Sequence, residues 1–222
     1  MPSLVYCITQ PAPAVDIAAG VCDASVHSRE MLGLRVYWSE IADLQACLGD
    51  AESLKKAALQ CHQVLRTILL TTTPIPFRFP TLLENEDAIQ QHLASELELY
   101  RDAMARLVNT VQYEIVASWS DEEEADLATP VSGREYLKRR QEATNRIAAV
   151  ESKLKTVTAD SVREWRDRQE RKMHRWFALV PRENRERFVA SLRGAGASEG
   201  VRLRLSGPWP PSEFVTPRGE HG

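Results

Sequence analysis

The stretch that most constrains the fold is VRLRLSGPWPPSEFV, at residues 201–215. Its first half alternates apolar and polar residues, which predicts a half-buried β-strand. Its second half has three prolines within residues 208–211, which remove backbone donors and fix φ, so it is predicted to leave the sheet as a stiff extended segment. This segment presents Trp209 and Phe214 either to its own domain or to a partner. Core packing is favoured, because burying a tryptophan stabilises a fold by on the order of a few kcal/mol.

Upstream of this stretch, residues 110–206 are predicted to fold as strand, long helix, strand, short helix and strand. Residues 111–119 alternate in polarity, and Ser132 with Glu135 forms a capping box that starts the long helix. Residues 176–180 are nearly all apolar, which is typical of a strand buried on both faces. The order is close to the ferredoxin-like plan with one strand fewer.

The long helix carries its apolar residues at alternating steps of four and three, the spacing of a helical hairpin or short coiled coil. These residues are Ala143, Ile147, Val150, Leu154 and Val157. Val162 and Trp165 continue the pattern loosely, and residues 156–160 are a candidate break between two helices. The sequence therefore predicts a long helix or a helical hairpin.

The first half of the chain reads as a smaller α+β unit. Strands are predicted at residues 4–9 and 34–38, and Asp50 and Asn85 are placed to cap two helices with apolar stripes. Between those helices the segment PIPFRFP at residues 74–80 is extended but rich in proline, which fits a sheet edge.

The predicted fold class is thus α+β with two domains. The boundaries expected are a small N-terminal α+β domain at residues 1–109, a modified ferredoxin-like domain at residues 110–206, and a proline-rich C-terminal tail at residues 207–222. We expect this tail to staple the second domain.

Composition and charge set broad limits on function. The chain is 43% hydrophobic and 27% charged with a net charge of -3, and this near-neutral balance argues against an overall nucleic-acid binder. The first basic residue is Arg29 and prolines interrupt the start, so no signal peptide is expected. No apolar run approaches the roughly 20 residues of a membrane helix. A soluble, cytoplasmic protein with no membrane association is expected.

Cysteine usage fits the same compartment. Cys7, Cys22, Cys47 and Cys61 have no C-x-x-C spacing, so they are interpreted as small buried hydrophobes, with a disulfide or a metal site as the less favoured alternative.

Catalytic patterns are not found. The histidines lack metal-ligand spacing, no nucleophile elbow occurs, and the carboxylate pairs lie in polar surroundings with no apolar pocket to raise a pKa. We therefore expect no enzyme activity, no cofactor and no metal. A small-molecule enzyme remains the third hypothesis, and it would need a pocket where Arg78 or His62 meets carboxylates.

The long helical region is basic, with 13 Lys or Arg against 7 Asp or Glu between Arg134 and Arg175. This excess would suit an anionic polymer such as nucleic acid. A solvated helix with intrahelical ion pairs is favoured, because the basic residues are spread around the helix. The acidic run at residues 121–126 is likewise read as a solvated face.

Taken together, three segments resemble the marks of the gas vesicle protein L/F family (GvpL/GvpF). The first is PFRFPT at residues 76–81, the second SGREYL at residues 132–137, and the third GPWPP at residues 207–211 followed by Phe214. The likeness spans nearly the whole chain, and the tail motif is its most specific part. The motif residues proposed as scaffold or partner contacts are Pro76, Arg78, Phe79, Ser132, Gly133, Tyr136, Leu137, Gly207, Pro208, Trp209, Pro210, Pro211 and Phe214.

The resemblance implies a non-catalytic accessory protein of gas vesicle assembly, cytoplasmic and associated with the vesicle. Its implied partners are the small, very hydrophobic main shell protein, bound as a minor component or through an assembly role, and other gas vesicle accessory proteins. Nucleic acid is not an expected partner on this interpretation. The alternative is a cytosolic binder of nucleic acid or another anionic polymer through the basic long helix.

Overall fold

A computed structural model describes residues 1–119, 132–170, 173–195 and 201–216. The acidic run at residues 121–126 lies outside these residues. The chain divides into two compact units: Met1–Val111 together with Trp209–Gly222, and Gln112–Pro208. Residues 209–216 therefore belong to the first unit by their contacts, although the expected boundaries placed them in a tail after the second domain.

The first unit contains a four-stranded sheet, here sheet A, in the order β2-β3-β1-β4. Its pairings β1–β3, β1–β4 and β2–β3 are all antiparallel. The elements are β1 (Ser3–Thr9), β2 (His27–Met31), β3 (Leu34–Glu40), α1 (Leu44–Leu48), α2 (Ala51–Thr71), β4 (Ile75–Leu83), α3 (Glu86–Ser95) and α4 (Leu97–Leu107).

Both predicted helix caps are confirmed. The Asp50 carboxylate accepts hydrogen bonds from the backbone N–H groups of Glu52 and Ser53, and the Asn85 side chain accepts one from Ala88. These bonds satisfy amide donors that a helix leaves unpaired in its first turn, so each cap fixes where its helix begins.

The apolar stripe of α2 packs on sheet A. Ala57, Cys61, Val64 and Ile68 are buried in one cluster with residues of β1 and β3, and Leu65 is partly buried against it. Leu54, in the first turn of the helix, is 39% exposed and lies outside this buried stripe.

The sequence pattern missed three features of the first unit. The stripe from Asn85 reads as one helix, but the backbone breaks at Glu96 (φ -117°, ψ 17°) into α3 and α4. Strand β2, HSREM, is too polar to stand out because it lies at a sheet edge and pairs only with β3. Helix α1 has only five residues.

The second unit contains sheet B, with strands in the order β6-β7-β5-β8. Its elements are β5 (Thr110–Trp119), α5 (Gly133–Val157), β6 (Glu164–Glu170), β7 (Met173–Pro181), α6 (Arg185–Ala195) and β8 (Val201–Trp209). Among the described elements, this βαββαβ sequence with the fourth strand beside the first is the ferredoxin-like arrangement.

The strand that sequence reasoning lacked is β6. Trp165 was read as a loose continuation of the long helix, but α5 ends at Val157, where the N–H of Thr158 bonds to the carbonyl of Leu154. Strand β6 then pairs antiparallel with β7, from Glu164 opposite Leu179 to Glu170 opposite Met173. Its sequence EWRDRQE is highly charged because β6 is an edge strand.

Sheet B is buried at its centre. Residues 176–180 of β7 are all buried, which confirms the prediction of a strand covered on both faces. The ring of Tyr113 on β5 lies 4.9 Å from that of Phe188 on α6. Glu114 on β5 pairs with Arg175 of β7 at 2.9 Å and accepts a hydrogen bond from Ser206 of β8 at 3.0 Å. One carboxylate thus links three neighbouring strands.

The cysteines differ from expectation. Cys7 and Cys61 are buried thiols, as predicted, but Cys22 and Cys47 form a disulfide with a Cα–Cα distance of 5.9 Å. The interpretation of all four as buried hydrophobes is wrong for this pair, because residues 25 positions apart in the sequence become neighbours only when α1 docks beside the 3-10 turn Val21–Asp23.

Candidate functional site: the C-terminal segment and the family-motif residues

The C-terminal segment, defined here as residues 207–216, begins inside β8. The strand continues through Trp209, so the prediction that GPW cannot be part of a strand is wrong. The reason is position, since β8 is an edge strand of sheet B and an edge tolerates a residue without an N–H donor. Gly207 has φ 126°, a value that L side chains rarely adopt, and the Gly207–Pro208 peptide bond is cis.

Beyond the strand the segment packs within the first unit. The Trp209 ring lies 4.9 Å from the His62 ring on α2 in a T-shaped arrangement. Pro210 and Pro211 are buried, and Phe214 is fully buried. The expectation that this segment staples the second domain is therefore corrected: Trp209 and Phe214 contribute to the first unit.

Hydrogen bonds fix the end of the segment. The Ser212–Phe214 turn is closed by bonds from Ser212 N–H to the Pro210 carbonyl and from Phe214 N–H to the Pro211 carbonyl. The Arg106 guanidinium on α4 donates to the carbonyl of Phe214 at 2.5 Å and to that of Val215 at 3.0 Å. Because the donor is charged, these hydrogen bonds are stronger than those between neutral groups, and they hold Phe214 and Val215 against α4. Sequence reasoning missed Arg106, and no local pattern marks it.

The motif residues on β4 lie on an edge strand of sheet A. Pro76 pairs with Cys7 of β1, Arg78 is exposed, and Phe79 packs against the core cluster of α2 and sheet A. The prediction that this proline-rich segment forms a sheet edge is confirmed. Phe79 therefore packs on the core cluster that includes residues of α2, and Trp209 contacts His62 on the same helix.

The third motif lies in the second unit, at the start of α5. The Ser132 side chain accepts a hydrogen bond from Glu135 N–H at 3.2 Å, which confirms the predicted cap. The Glu135 carboxylate pairs with Arg139 at 2.7 Å. A Cβ added at Gly133 would meet no atom within 4 Å, and Leu137 is 64% exposed. Tyr136 lies within α5. The motif residues are thus divided between the two units. Those of β4 lie in the first unit with Trp209, Pro210, Pro211 and Phe214, whereas Gly207, Pro208 and the residues at the start of α5 lie in the second.

The buried cysteines and the partly buried Tyr100 are not activated as nucleophiles. Burial raises the pKa of the Cys61 thiol to about 12, and burial followed by the proximity of Cys61 raises the pKa of Cys7 well above its usual value. Burial and then the Glu96 carboxylate raise the pKa of Tyr100, whose hydroxyl lies 3.3 Å from His92 Nε2. These shifts all stabilise neutral, protonated side chains, the opposite of an activated nucleophile.

Within the described ranges no group of three or more His, Cys, Asp or Glu side chains is arranged to hold a metal ion. The enzyme hypothesis required Arg78 or His62 to meet carboxylates in a pocket. Arg78 is exposed and His62 contacts Trp209, and neither lines the cavity of about 650 Å³ next to the disulfide. No described helix is long and apolar enough to cross a bilayer.

The fold and this site define an α+β protein with two antiparallel sheets and a proline-rich C-terminal segment held by α2 and α4. The family described as gas vesicle synthesis protein GvpL/GvpF matches residues 3–216. The chain therefore belongs to the GvpL/GvpF family of gas vesicle proteins.

Curated relatives agree with this assignment. The chain is 28% identical over 198 residues to gas vesicle protein L of Streptomyces sp. (strain CB03234), covering 78% of this chain and 74% of that protein. It is 26% identical over 257 residues to gas vesicle protein L1 of Halobacterium salinarum, covering 97% and 91%.

Two solved structures share the fold across nearly the whole chain. The crystal structure of GvpF from Microcystis aeruginosa gives a TM-score of 0.77 at 17% identity, covering 97% of this chain and 99% of that one. GvpF from Anabaena sp. PCC7120 gives 0.76 at 19% identity, covering 98% and 99%. At these identities the likeness establishes the fold alone.

Proposed function

We propose that this chain acts in gas vesicle assembly by binding the small, hydrophobic main shell protein, as a minor structural component or an assembly factor without catalytic activity. The observation that carries the proposal is the family match over residues 3–216. The raised pKa values of Cys7, Cys61 and Tyr100 make these three side chains poor nucleophiles, which is consistent with the non-catalytic part of the proposal.

The sheet edges argue against binding by strand addition. The edge strands β4 and β8 contain proline, β2 has only five residues, and β6 is highly charged. Such features block pairing with a further strand. A partner would therefore meet side chains of a helix face more readily than the backbone of an edge.

The outer face of α2 carries two exposed leucines, with the exposed polar residues Gln63 and Arg66 between them. Leu59 and Leu70 are 63% and 77% exposed. They are 11 residues apart, which places them on the same face of a helix about 16 Å apart. Exposed leucines aligned in this way suit a very hydrophobic partner better than a charged one. By contrast Phe214 is fully buried, so its role in our proposal is to hold the scaffold.

The test is capture of the main shell protein by this chain under assembly conditions. Leu59→Ser with Leu70→Ser should reduce capture at least tenfold without changing the unfolding midpoint, because both side chains face solvent. Leu137→Ser on α5 is the comparison variant, because Leu137 is a motif residue of similar exposure, 64%, on another helix. No capture by the wild-type chain would refute the proposed function. Loss of capture with Leu137→Ser alone would indicate that the contact lies on α5 instead of α2.

The alternative, an anionic-polymer binder, receives less support. In α5 Arg139 pairs with Glu135 at 2.7 Å, Lys138 with Glu142 at 3.9 Å, and Lys155 with Glu151. Intrahelical pairs at this spacing favour a solvated helix. Binding to a nucleic acid at low salt, lost steeply as salt is added, would favour the alternative instead.

A further inference from the structure

The Cys22–Cys47 disulfide is asymmetric. It joins the turn Val21–Asp23 to α1, and its two residues differ in burial: Cys22 is exposed, whereas Cys47 is 3% exposed. A thiolate arriving from solvent therefore meets the Cys22 sulfur first. Attack there makes Cys47 the leaving group.

The bond also lies in the wall of a cavity of about 650 Å³. Cys22 and Cys47 line this cavity together with charged and polar side chains that include Asp23, Asp43 and Lys56. A cavity of this size, with both charged and apolar side chains in its lining, has room for a small thiol reagent, so we expect the bond to be reached without unfolding of the core.

Side chains of Gln60 and Tyr6 hold the turn that carries Cys22. The Gln60 side chain accepts a hydrogen bond from Cys22 N–H at 2.9 Å and donates one to Asp23 at 3.1 Å. Cys22 and Asp23 both have positive φ, 54° and 59°, which is uncommon for residues other than glycine. On its inner side Val21 N–H donates to the Tyr6 hydroxyl at 2.8 Å. Among the described residues, the disulfide is the side-chain cross-link that joins this turn to α1.

The other two cysteines do not compete. Cys7 and Cys61 are both buried, and burial raises the pKa of each thiol. At neutral pH they remain protonated and inaccessible, which suppresses exchange. Redox reagents can therefore address one pair among the four cysteines of this chain.

We propose that Cys22 and Cys47 form a reversible thiol–disulfide exchange site for a dithiol reductant. One thiolate of the dithiol attacks Cys22 Sγ, the Cys22–Cys47 bond breaks, and the Cys47 sulfur leaves and takes up a proton. The second thiol of the reductant then attacks the mixed disulfide and releases Cys22. Two electrons and two protons pass to the protein, and the reductant ends as a disulfide.

The consequence is a local switch. In the oxidised state the turn Val21–Asp23 and α1 move together, and in the reduced state the turn depends on its hydrogen bonds to Gln60 and Tyr6. Small disulfides can reverse the reaction by the same exchange chemistry. This inference does not depend on which partner the protein binds.

The experiment uses the wild-type chain with dithiothreitol as reductant and oxidised glutathione as oxidant, followed by mass-tagging of thiols with a maleimide. The native oxidised protein should take up no tags, and the native reduced protein should take up two, at Cys22 and Cys47. When the reduced protein is treated with oxidised glutathione before tagging, the bond should re-form and no tag should be taken up. Hydrogen exchange should increase in Val21–Asp23 and Leu44–Leu48 on reduction, with α4 unchanged.

Cys61→Ala provides the control, and it should keep the response of two tags because Cys61 takes no part in the bond. Failure of dithiothreitol to open the bond in the native protein would overturn the proposal. So would simultaneous tagging of all four cysteines, which would mean that reduction requires global unfolding. Two tags before reduction, or no re-formation with oxidised glutathione, would overturn it equally.

Discussion

Strand β4 closes one edge of sheet A and strand β8 closes one edge of sheet B, and each carries a cis X-Pro bond, Phe79–Pro80 in β4 and Gly207–Pro208 in β8. In β4 the chain stays in the sheet, with Pro76 paired to Cys7 and Leu83 paired to Ser3. In β8 the strand ends at Trp209. The Trp209 ring contacts His62 on α2, and the carbonyl of Phe214 accepts a hydrogen bond from Arg106 on α4.

The two edges differ in the residues that come after each proline. β4 continues with Thr81 and two leucines, which can still pair with β1, whereas β8 continues past Trp209 with two more prolines that cannot pair. The two separated prolines of β4, Pro76 and Pro80, are thus compatible with an edge strand, whereas the consecutive prolines Pro210 and Pro211 follow the point where β8 ends. The aromatic residue beside each cis proline bond contacts α2 or its core cluster: Phe79 packs on the cluster, and Trp209 contacts His62.

Phe214→Ala should have the largest effect. Its ring is fully buried, and removing it leaves a cavity that costs about 3 to 5 kcal/mol of unfolding free energy. Urea unfolding followed by circular dichroism measures the loss. A change below about 1 kcal/mol would mean that the segment beyond Trp209 adds nothing to the first unit, and the contrast between the two edges would fail.

Phe79→Ala comes next, at about 2 to 3 kcal/mol, because the ring is packed on the core but only partly buried. Arg78→Ala on the same strand is the control, and it should change the unfolding free energy by less than about 0.5 kcal/mol since its side chain is exposed. Both are measured by urea unfolding. Equal losses for the two variants would show that β4 contributes through its backbone alone.

Gly207→Ala should cost about 1 to 3 kcal/mol of unfolding free energy, because φ at this position is 126° and a Cβ strains the backbone there. Gly133→Ala is the matched glycine control. Its Cβ meets no atom within 4 Å, and alanine suits a helix, so this variant should be neutral or gain up to about 1 kcal/mol. Similar losses for both in urea unfolding would contradict the conformational role assigned to Gly207.

The contact of Trp209 with His62 should give the smallest effect. A double-mutant cycle with Trp209→Ala and His62→Ala should show a coupling of about 0.5 to 1.5 kcal/mol, as expected for an edge-to-face ring pair. The cycle is measured by unfolding of the two single variants and the double variant. Additive losses would mean that Trp209 is held by Pro210 and Pro211 and not by the ring contact.

Local rules succeeded where the cause is local. Asp50, Asn85 and Ser132 were identified as helix caps because capping depends on a side chain and amides two or three residues away. The apolar run at residues 176–180 identified a buried strand, because a continuous apolar segment is enough to predict burial on both faces. The ferredoxin-like plan of the second unit was also recognised, one strand short.

Reasoning failed where the decisive neighbour is distant or the residue is on an edge. Strand β6 was missed because a charged edge strand has no apolar alternation, and its pairing with β7 supplies the order. The partner of Cys22 could not be identified, since Cys47 approaches it only after α1 and the turn have docked on α2. Arg106 gave no signal before its carbonyl partners were folded beside it.

By itself, the sequence determined the α+β class, the helix caps, the proline-marked edges and the GvpL/GvpF family, because each depends on short-range backbone chemistry or a contiguous motif. Only the tertiary structure decided that Trp209 and Phe214 pack in the first unit, that Arg106 binds the carbonyls of Phe214 and Val215, and that Cys22 bonds to Cys47. Those contacts join residues far apart in the chain, and their partners are set by how the sheets and helices pack.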